Sequence, residues 1–67
     1  MKITKYFTKH TAWNTPVAAC NDLVVEKEEF LTTNKKDIAK IDSEDLKVEF
    51  CGNNYCICIL KLTYYEK

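Results

Sequence analysis

Residues 46–65, LKVEFCGNNYCICILKLTYY, decide how the rest of the chain is read. Leu46, Lys47, Val48, Glu49 and Phe50 alternate apolar and polar with a two-residue period, the pattern of a strand with one buried and one wet face. Tyr55 to Tyr65 is rich in β-branched and aromatic residues, so a second strand follows. Between them Asn53 and Asn54 tolerate the positive φ of a two-residue type I′ turn, with Gly52 relieving strain beside them. The stretch predicts a tight hairpin.

A two-residue loop sets Phe50 opposite Ile57, Val48 opposite Ile59, Leu46 opposite Lys61 and Cys51 opposite Cys56. This register makes Val48, Phe50, Ile57 and Ile59 a core face, completed by Leu23, Val24 and Leu31. The second strand is apolar on its other face too, through Cys56, Cys58, Leu60, Leu62 and Tyr64. Such a strand is central, or is covered by another chain. Because little apolar material is left to cover that face, a homodimer through Leu60, Leu62 and Tyr64 is expected.

Upstream, Met1 to His10 alternates in a β-like pattern and reads as an edge strand whose lysines discourage stray pairing. Thr15-Pro16 reads as an N-cap with proline at the first helical position. Beyond it Val17, Cys20, Leu23, Val24, Phe30 and Leu31 recur at helical spacing, although Lys27 interrupts the stripe and Leu23-Val24-Val25 would equally open a strand. A short helix over about Lys35 to Ile41 and a polar turn over Asp42 to Asp45 lead into the hairpin. The expected fold is one compact α+β domain over residues 1–67. Strands near Lys2 to Lys9, Asp45 to Cys51 and Tyr55 to Tyr65 form a three-stranded antiparallel sheet, packed on one main helix from Pro16 to Leu31. The alternative, a small all-β barrel, needs more turns than a single Gly and a single Pro support.

Ten basic and ten acidic side chains balance, so no global field draws in a phosphate backbone or an anionic membrane. All ten basic residues are Lys, which removes the planar guanidinium fork used for bidentate contacts to phosphate or guanine. No apolar run follows Met1 to serve as a signal-peptide core, and none reaches the length of a membrane span. A cytoplasmic setting in a bacterial host, with reduced thiols, is expected.

The four cysteines, Cys20, Cys51, Cys56 and Cys58, lack the spacing of a zinc knuckle and read as buried structural thiols rather than as metal ligands with His10. A Cys51–Cys56 crosslink fits the hairpin geometry but not a reducing compartment. No nucleophile, base or phosphate-binding loop stands out, so no catalytic residue and no cofactor is expected.

Two binding surfaces remain. Asp22, Glu26, Glu28 and Glu29 form a carboxylate stripe that, on so small a protein, would dock in a basic groove where nucleic-acid phosphates normally lie. Lys2, Lys5, Tyr6, Lys9 and Trp13 would instead stack bases and meet phosphates of a single strand. The short, Lys- and Asn-rich composition suits phage and mobile-element genes, among which small anti-defence inhibitors such as anti-CRISPR proteins occur. The expectation is a non-catalytic inhibitor that occludes a protein partner, such as a nucleic-acid-processing defence nuclease; a small single-stranded nucleic-acid-binding protein is the alternative.

Overall fold

The computed structural model describes every residue, Met1–Lys67. In chain order it has β1 (Lys2–Ala12), α1 (Pro16–Thr33), one 3-10 turn (Lys35–Asp37), β2 (Ile38–Gly52) and β3 (Tyr55–Glu66). The strands form a single open antiparallel sheet in the order β1-β3-β2, and α1 packs on one of its faces. This is the expected α+β arrangement. β3, the strand with apolar residues on both faces, is the central one.

Local signals account for the ends of the elements. Thr15 holds the N-cap position before Pro16, although its hydroxyl donates back to the Ala12 carbonyl at 3.2 Å instead of capping the helix. At the other end the Asn34 backbone and side-chain amides both donate to the Phe30 carbonyl and stop α1. Asn53 (φ 50°) and Asn54 (φ 63°) adopt the left-handed conformations of a type I′ turn. Glycine enters that region without a Cβ penalty, so Asn54→Gly is expected to raise stability by about 0.5 kcal/mol. A thermal melt that does not rise relative to wild type would contradict this account of the turn.

The register differs from the expected one by a single residue. The ladder shifts between Phe50 and Gly52, leaving Cys51 as an extra, bulged residue, and beyond it Phe50 pairs with Cys56, Val48 with Cys58 and Leu46 with Leu60. A one-residue slip exchanges the faces of a strand, so β3 presents Cys56, Cys58, Leu60, Leu62 and Tyr64 to the helix. With Ala19 and Leu23 these residues are the buried hydrophobic core, and Ile3, Phe7, Phe30, Leu31 and Ile38 pack at its margin. Ile57 and Ile59, expected in the core, lie half-buried on the opposite, open face of the sheet. The bulge also removes the Cys51–Cys56 facing pair.

Val48 and Phe50 do point to the helix side, but nothing covers them. A helix is about 10 Å across and strands lie about 4.8 Å apart, so one helix covers two strands. Here it covers β1 and β3. Phe50 is 71% exposed, and Leu46, Val48 and the helix residue Val24 are also exposed. Leu60 and Leu62, expected at a dimer interface, are wholly enclosed beneath α1 within one chain, with Tyr64 nearly so. The apolar face that called for a second copy is satisfied internally.

Residues 35–45 are also corrected. Only Lys35–Asp37 is helical, as a 3-10 turn, and β2 already begins at Ile38. Ile38 pairs with Glu66 and Ile41 with Tyr64, and two further shifts, at Ala39 and Asp42, keep the polar run Ser43–Asp45 in the ladder. Backbone pairing to the long β3 thus overrides the turn preference of Asp42, Ser43 and Asp45.

Candidate functional site

Helix α1 turns one rim toward β1 and the other toward β2. On the β1 rim Asp22, Glu26 and Glu29, spaced four and three residues apart, share one side of the helix. They line a shallow depression with Thr8, Lys9 and Val25. Lys9 rises from β1 into a short hydrogen-bonded ion pair with Asp22. That carboxylate, with Glu26 adding to it, holds the Lys9 ammonium above its ordinary range. Glu26 and Glu29 have no cation within ion-pair distance and are exposed. The fourth stripe residue, Glu28, lies toward the other flank and meets Lys27 at 3.1 Å.

Lys27 is the unusual member of α1. Although charged, it is only 8% exposed, because its stem continues the buried line Ala19, Leu23, Lys27. Its ammonium emerges beside β2, where Glu44 Oε1 accepts at 2.8 Å, and the Glu44 carboxylate holds its pKa above the usual lysine range. The break that Lys27 makes in the apolar stripe is therefore a strap between helix and sheet.

The basic and aromatic residues of the N-terminal strand do not gather on one surface. Lys5 and Lys9 point to the helix side, opposite Leu62 and Cys58, while Lys2 and Tyr6 point to the open side, opposite Tyr65 and Lys61. Lys5 lies over the Phe7 and Phe30 rings at 5.4 and 5.0 Å, and Lys2 pairs with Asp42 at 3.5 Å. Trp13 sits beyond the strand end, exposed, with its backbone amide donating to Asn54 in the hairpin turn. Strand pleat accounts for the separation, since even and odd positions face opposite ways.

Two surfaces escaped the sequence reading. One is the open sheet face, where Tyr55, Ile57, Ile59, Lys61 and Tyr65 of β3 run between His10, Thr8 and Tyr6 of β1 and Glu49, Lys47 and Asp45 of β2. The other is the helix-side strip of β2, Ile41, Leu46, Val48 and Phe50, all exposed. Strand order was the missing signal: once β3 is central, a single helix must leave one outer strand bare.

Of the four thiols expected to be buried, Cys56 and Cys58 are wholly so, their Sγ atoms donating weakly to the Ala12 and Pro16 carbonyls, whereas Cys20 is half-buried and Cys51, on the bulge, is exposed. Burial, together with the neighbouring Cys20 and Cys56 groups, pushes the Cys58 thiol up to about 11. His10 stands on the open face, its ring 5.9 Å from that of Tyr55, so the sheet lies between it and the buried thiols. No group of His, Cys, Asp and Glu side chains has the arrangement of a metal site, and no helix is long and apolar enough to cross a membrane. The chain matches no protein-family model, no curated protein and no solved structure.

Proposed function

We propose that this chain is a non-catalytic protein-binding module that occludes a partner's basic groove through the carboxylates of α1. The observation that carries the reading is that Glu26 and Glu29 stand exposed on one rim with no internal cation, while most carboxylates of β2 and Asp22 are matched by lysines. Unmatched charge held on a rigid helix is available to a partner at little ordering cost. A groove built for phosphates is the complementary surface, which points to a nucleic-acid-processing enzyme. A phage or mobile-element antagonist of a bacterial defence nuclease is the biological setting that fits.

The test is charge reversal of Glu26, Glu28 and Glu29 to Lys, followed by affinity purification from a bacterial host and a melt of the variant. Partner recovery should be lost with the fold intact, because Glu26 and Glu29 are exposed and unpaired; Glu28→Lys alone, which sets a second ammonium beside Lys27, is the control for any loss of stability. Undiminished activity in the triple variant would end this reading.

A second reading rests on the open sheet face, where Tyr6, Tyr55, Tyr65 and His10 alternate with Lys2, Lys40 and Lys61 across adjacent strands. Rings flanked by ammonium groups suit single-stranded nucleic acid. A gel shift at about 50 and 200 mM salt decides it, since phosphate contacts weaken steeply over that range. Retardation that is salt-sensitive and lost in Tyr6→Ala/Lys61→Glu would favour it over the occluding module.

A further inference from the structure

The sheet has two outer strands, and they differ in what they offer a neighbour. β1 carries lysines at positions 2, 5 and 9 and no carboxylate, so no self-pairing of β1 sets opposite charges face to face. β2 carries both signs and has an uncovered apolar strip. Between the shifts at Asp42 and Cys51 it is regular from Ser43 to Phe50.

We propose that β2 is a self-recognition edge, pairing antiparallel with β2 of a second copy in a register centred on Val48. A two-fold axis normal to the sheet keeps both helices on one face, so directly opposed residues share a face. On the helix side Val48 then opposes Val48 of the second copy, and Leu46 opposes its Phe50, so the exposed apolar residues meet one another. On the open side Lys47 opposes Glu49 of the second copy and Glu49 opposes its Lys47. Within one chain these two side chains already lie 3.0 Å apart, so the pairing assembles four alternating charges about the axis. Registers one residue away set Lys47 or Glu49 against itself, and a centre at Leu46 sets Glu44 against Val48. Charge and apolarity therefore select the same register. The product is a six-stranded sheet, β1-β3-β2-β2-β3-β1, in which no strand changes its present partners. This inference goes beyond the proposed function and does not depend on it, because the acidic rim lies on the β1 side.

The contact is short, so self-association should be weak and concentration-dependent. Sedimentation under reducing conditions, from low micromolar to millimolar protein, should show a monomer–dimer equilibrium. Lys47→Glu and Glu49→Lys should each weaken it about tenfold, since each places like charges opposite at two symmetric sites, and the double exchange should restore it. A register test follows from facing residues in antiparallel pairs, whose Cα atoms lie about 4.5–5.5 Å apart, within disulfide range. In a Cys51→Ser background, Val48→Cys should give a covalent dimer on mild oxidation and Leu46→Cys should not. A monomer at every concentration, equal crosslinking at both positions, or single charge reversals that leave the equilibrium unchanged would each overturn the proposal. Pairing of this edge with a strand of an unrelated protein would appear as the first of these outcomes.

Discussion

Leu60→Ala is expected to leave the chain largely unfolded at room temperature, whereas Phe50→Ala leaves it folded. Leu60 has no exposed surface and sits in the middle of the central strand, between Phe7 and Leu46 and within the cluster that holds Leu23. Truncating such a leucine costs about 2–5 kcal/mol, and a core of this size supplies roughly 3–5 kcal/mol in all. Phe50 lies on the uncovered strip, where substitutions away from special features change stability by about 0.5 kcal/mol or less. The sequence pattern pointed to the reverse ranking, with Phe50 as the indispensable core residue. Circular dichroism melts of the two variants decide between the faces: a native-like melt for Leu60→Ala would mean that β3 packs the other way round.

The second large effect concerns Lys27 and is asymmetric. Glu44→Leu removes the partner that accepts at 2.8 Å and leaves the ammonium of a nearly buried side chain with Glu28 alone, which should cost about 1–3 kcal/mol. Lys27→Met fills the same line of the helix without a charge and leaves Glu44 at the surface, so stability should stay within about 1 kcal/mol of wild type or rise. The two variants also separate in alkali. The raised pKa of Lys27 means that the folded state holds this proton more tightly than the unfolded chain. Its contribution is complete below the ordinary lysine value of 10.5 and is lost as pH rises through the folded value. The Cys58 thiol acts earlier: it ionises near 9.0 when unfolded but at about 11 when buried, so stability declines between those pH values. Lys27→Met should keep the decline above pH 9 and lose the later one. Melts at high salt, which screens the exposed Lys9 and Lys47 pairs, are the measurement. Identical alkaline profiles for wild type and Lys27→Met would remove the strap from the account.

Much of the fold could be read from the residues because the decisive signals are local. Asn53-Asn54 specifies its turn through backbone conformation, Thr15-Pro16 marks the start of α1, and the doubly apolar Tyr55–Tyr65 run marks a central strand. The inverted core arose from one residue. A β-bulge at Cys51 lies next to Gly52, which takes a positive φ of 80°; a glycine at a strand end is a bulge signal, but the apolar–polar alternation that set the expected register does not carry it. The polar start of β2 was hidden for a related reason, since Asp42, Ser43 and Asp45 extend only because β3 is long enough to pair with them. As for the candidate sites, the carboxylates of α1 were legible as a stripe. Their division by Lys9 and Lys27 into matched and unmatched charges required the sheet to be in place.

Lys2 pairs with Tyr65, so the two ends of the chain are stitched together through the central strand. The β2–β3 hairpin closes over a two-residue loop, but β1 reaches its place only across about forty residues at the Ala12–Tyr55 end and about sixty at the Lys2–Tyr65 end, and α1 has a platform only once both have met. The entropy of closing so large a loop must be met before any contact beneath the helix repays it. Loop entropy therefore favours the hairpin as template, with the N-terminal strand and helix joining it afterwards, as a lid drawn over thiols and leucines that the hairpin alone leaves wet.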